Sequence, residues 1–203
     1  MPRLLLASGN AGKLREFRVL ASAGASSPAI ELDLLPNFSQ LPAFSESAPT
    51  FAENAAGKAL HYSRFTYLPV FADDSGLVVD ALGGAPGVHS ARYAGASASD
   101  ADRITKLLAE LRATGSGDRR ARFVCVLALA HRGGMVAVFS DAVEGEIADA
   151  PRGAGGFGYD PVFLIPALGK TFAEIPGDSK SLYSHRGKAF RKLLAYVTAN
   201  ADR

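Results

Sequence analysis

Apolar positions recur along the chain in two rhythms. Near-continuous runs, Arg3 to Ser8, Ile30 to Leu35, Val70 to Ala72, Leu77 to Ala81 and Phe123 to His131, read as buried strands. Between them apolar residues return every three or four positions, as helices require: Leu14, Phe17 and Ala21 from about Ala11 to Leu20; Phe51, Ala55, Ala59 and Tyr62 behind Thr50; Ile104, Leu107, Leu108 and Leu111 behind Ser99. A last helix follows Ser184, with Phe190, Leu193, Leu194 and Val197 turned inward. Thr50-Phe-Ala-Glu53 has the spacing of a capping box, and Asp102 stands three residues after the Ser99 cap. Gly133-Gly134 between Phe123–His131 and Met135–Glu144 predicts a hairpin, and a short strand is expected at Pro161–Ile165. Hairpins mixed with strand and helix alternation predict an α/β fold on a mixed β-sheet flanked by helices. No internal repeat or linker interrupts it.

Composition narrows the class. At 203 residues the chain suits one domain or two small lobes, and 48% apolar with 21% charged residues is globular. A net charge of +2 excludes a general nucleic-acid or membrane surface, although Arg119, Arg120 and Arg122 form a local basic cluster. Cys125 is the only cysteine and lies in an apolar run, so it is expected in the core of a protein from a reducing compartment. The amino end is too short and lacks the flanks for a membrane span or secretory leader, so the expected location is cytoplasmic. The four histidines lack zinc-ligand spacing.

Candidate chemistry begins with Asp73-Asp74-Ser75-Gly76, which follows the apolar run 68–72. Two adjacent carboxylates at a buried strand end need a metal, a basic partner or a shared proton; the same four residues are also ordinary turn chemistry. Ser8-Gly-Asn-Ala-Gly-Lys13 joins a strand to a helix, where free amides and a lysine suit a phosphate, or else form a polar helix start with a solvated lysine. It is not the standard phosphate loop, whose first glycine would fall on Ala7 and whose closing hydroxyl would fall on Leu14. Gly153-Ala-Gly-Gly-Phe-Gly158 matches the dinucleotide fingerprint letter for letter, but Tyr159-Asp-Pro161 follows where that fingerprint requires a long helix. Its rings, Phe157 and Tyr159, suit either stacking on a base or packing in the core. Lys180, His185 and Arg186 gather donors at the expected start of the last helix, where positive charge opposes the helix dipole and points to an external acceptor for Arg186; His185 alone reads as a surface residue. Glu46 precedes the capping box and is a possible further oxygen ligand.

Together these segments, with Thr50–Asn54, Phe71 through Gly95, Gly155–Pro161 and Ser184–Lys188, stand in order over nearly the whole chain and resemble the inosine triphosphate pyrophosphatase (Ham1-like) family. The resemblance implies a single domain over 1–203, elongated, with two lobes around a central nucleotide-binding cleft, that forms a homodimer. It implies Mg²⁺-dependent cleavage of ITP, dITP and XTP to the monophosphate and pyrophosphate by water attack at the α-phosphate, with no nucleic-acid or membrane partner. By motif position, Ser8, Gly9, Asn10, Ala11, Gly12 and Lys13 bind the triphosphate. Glu46 and Asp74 bind metal, Asp74 accepts the proton, and Asp73 and Lys13 assist catalysis. Ser75, Phe157, Gly158, Tyr159, Asp160, Lys180, His185 and Arg186 contact the nucleotide. Ser8 replaces the more usual Thr, and Ser45 stands where many relatives carry a second acid. A pyrophosphatase with another base preference, a triphosphate sensor without hydrolysis and a Nudix-type hydrolase are the rivals; the last lacks its Glu-rich helix here.

Overall fold

In the computed structural model, which describes residues 2–22 and 30–200, seven strands form one mixed sheet in the order β2-β1-β3-β4-β5-β6-β7. Strand β1 (Arg3–Leu6) lies parallel to β2 (Glu31–Leu34) and to β3 (Val70–Val79). Leu4, Leu5 and Leu6 are buried in succession, as a parallel strand covered on both faces requires. β4 (Arg120–His131) turns into β5 (Gly134–Ile147) through Arg132 and Gly133, both at positive φ. The hairpin therefore turns one residue earlier than Gly133-Gly134 suggests, because a primed two-residue turn needs left-handed backbone at both positions. β6 (Phe163–Ile165) and a further strand, β7 (Lys170–Thr171), add antiparallel partners to the end of β5.

The helices are α1 (Ala11–Ser22), α2 (Phe51–Tyr62), α3 (Asp100–Ala113), α4 (Gly177–Tyr183) and α5 (His185–Ala199). Local signals decide the starts of two of them. Thr50 Oγ1 accepts the Glu53 N–H at 3.2 Å, and Ser99 and Asp102 complete a reciprocal capping box. The four apolar residues expected on α3 are all buried. No helix among the described residues is long and apolar enough to cross a membrane.

Contacts divide the chain into two compact units, Met1–Asp74 with Cys125–Asp141 and Arg186–Arg203, and Ser75–Val124 with Ala142–His185. Each has its own core. In the first, Phe17 of α1 meets Phe71 edge-on at 5.2 Å and Phe190 of α5 at 4.7 Å, which presses both helices onto the face of β3 that carries Phe71. In the second, α3 packs on Leu77, Val79, Phe123 and Phe163. The basic run lies in this unit and is matched by acids: Arg119 faces Asp149, Arg120 faces Asp118, and Arg122 faces Asp80.

Candidate active site

Asp73 and Asp74 do not form a turn. They lie inside β3, which runs unbroken from Val70 to Val79, and both are buried. Side chains alternate along a strand, so adjacent carboxylates leave on opposite faces. Facing opposite ways lessens the like-charge repulsion that a shared turn would impose, although Asp73 still contributes to raising the Asp74 pKa.

Asp73 shares the face of Phe71, toward α1 and α5. Its Oδ2 accepts from Lys13 Nζ at 3.1 Å and from Arg186 Nε at 3.1 Å, while Cys125 Sγ lies 3.8 Å from Oδ1. Arg186 also donates to Glu16 at 2.7 Å. Burial alone would depress the Arg186 pKa, but the Asp73 and Glu16 carboxylates reverse this and hold it above its ordinary value. The acceptor expected from outside is therefore internal. Glu16 carried a sequence signal, since Lys13, Glu16 and Phe17 share one face of α1.

Asp74 faces α2. It is 8% exposed, and its Oδ2 has no hydrogen-bond partner among the described residues. Its pKa is pushed up to about 6, first by burial, then by the nearby Glu46 and Asp73 carboxylates, against the opposing pull of the Asn54 amide and Lys58. Glu46 is half-buried and ion-paired with Lys58. No group of three or more His, Cys, Asp or Glu side chains gathers into a metal cage among the described residues. A hard cation that takes one or two carboxylates and completes its shell with water and phosphate oxygens needs no such cage, and an unpartnered buried carboxylate oxygen fits it. Lys58 and Asn54, absent from the sequence-based candidates, belong to this centre.

The loop before α1 is closed on itself. Asn10 Oδ1 accepts from the Gly12 and Lys13 amides at 2.8 and 3.1 Å, and Ser8 Oγ accepts from the Asn10 amide at 3.0 Å. A Cβ on Gly12 would stand 2.9 Å from Asn10 Oδ1, so the cap requires glycine there. The amides expected to be free for an anion are thus partly satisfied by Asn10, an N-cap residue type. Gly9 and Ala11 are exposed beside it.

In the second unit the segment 153–160 contains no α-helix, which removes the dinucleotide reading. Asp160 is buried, accepts from the Phe157 amide at 2.8 Å and pairs with Lys180. At Gly156, φ +73°, a Cβ would overlap Asp160 Oδ2 at 2.0 Å. The Gly158 amide donates to Asp100 of α3 at 2.7 Å. Two aromatics that looked alike now differ. Tyr159 is a core residue whose hydroxyl donates to the Ser90 carbonyl at 2.9 Å, whereas Phe157 is 51% exposed with the Lys180 ammonium 5.3 Å from its ring centre. Lys180 lies in the last turn of α4, not at the start of the final helix, so the dipole favours its charge. His185 is buried, stacked on Phe123 at 4.8 Å, rather than a surface histidine. Ser75 is half-buried in β3.

The fold and these residues define a class, a mixed α/β protein with a buried carboxylate lacking a partner for one oxygen among the described residues on one face of a strand and a lysine-paired carboxylate on the other. Within it, the chain belongs to the Ham1 family, whose model matches residues 4–196. A dITP/XTP pyrophosphatase of Geobacillus kaustophilus is 52% identical over 95% of this chain and 93% of its own. One from Thermus thermophilus is 49% identical over 95% and 90%. The structure of a HAM1 protein from Coxiella burnetii superposes with a TM-score of 0.88 at 42% identity, covering 98% of this chain and 100% of that one.

Proposed function

We propose that the chain is a nucleoside triphosphate pyrophosphohydrolase that cleaves the deaminated purine nucleotides ITP, dITP and XTP to the monophosphate and pyrophosphate, with magnesium as cofactor. The observation that carries this reading is Asp74, a buried carboxylate whose Oδ2 lacks a partner among the described residues and whose pKa lies at about 6, beside Glu46. The names of relatives at 52% and 49% identity over almost the full chain support the substrate class.

Glu46 and Asp74 would hold the ion, which would supply charge shielding and Lewis acidity at the triphosphate oxygens. Asp74, as a carboxylate, takes the proton of the water that attacks the α-phosphorus. Lys13, with Ser8 and the rest of the 8–13 loop, binds phosphate oxygens, and Lys58 is a second cation for them. Asp73 acts through Lys13, which it holds by ion pair, and not as a base. On the base side, the exposed Phe157 ring supplies a stacking surface, and Lys180 donates to a 6-oxo group where adenine's amino group would meet a like donor. Ser75, Gly158 and His185 are assigned to this region, while Tyr159 supports it from the core through the Ser90 carbonyl. Asp160 sets Lys180, and Arg186 sets Asp73.

The reading extends to a cytoplasmic homodimer. The lone reduced Cys125 supports the compartment, and the exposed Met135, Val136 and Val138 on β5 supply apolar surface for a second copy. Product identification tests the function: ITP with magnesium should yield IMP and pyrophosphate, and IDP with phosphate would refute α-phosphate attack. A panel of nucleoside triphosphates separates this base preference from others.

A further inference from the structure

Glu46 lies in a segment, 41–48, without helix or strand. What fixes it comes from one face of α2. Asn54, Gly57, Lys58, His61 and Tyr62 follow the spacing of a single helical stripe, and each touches this segment. Asn54, 1% exposed, accepts from the Ala48 amide at 3.0 Å and donates to the Ala48 carbonyl at 3.2 Å. A His61 ring nitrogen lies 2.8 Å from the Pro42 carbonyl, and the Tyr62 hydroxyl accepts from the Phe44 amide at 3.3 Å. Lys58 pairs with Glu46 itself. Phe44 lies directly over Gly57, where a Cβ would come within 2.5 Å of the ring.

The Asn54 amide has one orientation available. Ala48 N–H requires its oxygen, and one of its N–H groups goes to the Ala48 carbonyl. One side chain thereby ties both backbone polar groups of the residue two beyond Glu46 to α2. Phe44, seated on Gly57, holds the other flank of Glu46.

We propose that Asn54 is a positioning residue that fixes the loop carrying Glu46 on α2, with Gly57 as the seat that lets the same loop close there. This rests on the reading that the Glu46 and Asp74 carboxylates hold a divalent cation. Because Asn54 acts through the Glu46 loop, its loss should appear in metal affinity before it appears in the maximal rate.

The test is Mn²⁺ binding to the nucleotide-free protein by calorimetry, together with the Mg²⁺ dependence of ITP cleavage. Asn54→Ala should weaken Mn²⁺ binding by about 10–100-fold and raise the Mg²⁺ concentration for half-maximal rate by a similar factor, with most of kcat recovered at saturating Mg²⁺. Gly57→Ala leaves Asn54 intact and gains helix propensity, so it folds; displacement of the Phe44 ring should shift both measurements in the same direction. Unchanged Mn²⁺ affinity in either folded variant overturns the proposal, and if Asn54→Ala does not fold, Gly57→Ala decides. Wild-type protein that binds no Mn²⁺ overturns the metal reading and this proposal together, whereas wild-type binding matched by both variants overturns only the positioning role.

Discussion

Asp73 and Asp74 are consecutive residues of one strand, yet their surroundings are opposite. Asp73 accepts from Lys13 and Arg186, each at 3.1 Å, while Asp74 meets the Asn54 amide and the Glu46 carboxylate and keeps an oxygen without a partner among the described residues. Alternation along β3 separates an ion-paired carboxylate from one whose pKa is raised.

Asp74→Asn should lower ITP turnover by about 10²–10⁴-fold, the range for removal of a general base. Pyrophosphate release under saturating magnesium measures it, with circular dichroism to confirm the fold. Near-normal turnover would remove Asp74 from the role assigned to it.

The same substitution should stabilise the metal-free protein at pH 8. With the folded pKa at about 6 against 3.8 for the ordinary carboxyl, the native state binds more protons within that window. The stability contributed by Asp74 is therefore fully present below about pH 3.8 and is lost as the pH rises through about 6, by up to about 3 kcal/mol. Urea unfolding in a chelator from about pH 3.5 to about pH 7.5 should show this loss in wild type relative to Asp74→Asn. Parallel curves would contradict it.

Asp73→Asn should act mainly on the fold, by about 3–5 kcal/mol, because it leaves the Arg186 guanidinium buried with only part of its counter-charge. A double-mutant cycle with Arg186 should give a coupling of about 0.5–3 kcal/mol. Additive losses would mean that the pair is not energetically joined.

Lys13→Ala should raise KM for ITP more than it lowers kcat, and Asn10→Ala should have the smaller effect on KM, since the Asn10 side chain caps α1. Steady-state kinetics on both variants decides the order. Unchanged kinetics for Lys13→Ala would end the phosphate role of the 8–13 loop.

Phe157→Ala should weaken ITP binding by about 1–3 kcal/mol with little change in Tm, as expected for an exposed ring that stacks on a base. Tyr159→Phe should do the reverse. It loses the bond to the Ser90 carbonyl, worth about 1 kcal/mol, and keeps substrate affinity. Binding to a slowly cleaved ITP analogue, read beside thermal melts, separates the two rings.

Much of this protein is determined within short stretches of chain. The caps at Thr50 and Ser99, the apolar face of α3 and the hairpin before β5 each depend on residues a few positions apart, because capping and helical or strand periodicity are local interactions. The candidate residues also stand in the order that identifies the family. What only the tertiary structure decided is which candidate faces which partner. Arg186 is 113 residues from Asp73 and 170 from Glu16, so no local pattern could show that its acceptors are internal. The face of α2 that holds Glu46 includes a glycine and an asparagine, which an apolar pattern does not register. Asp73-Asp74 is legible as a pair of acids in any conformation, but its division into an ion-paired carboxylate and one with an oxygen lacking a partner among the described residues exists only once the segment is a strand, since pleating sends neighbours to opposite faces.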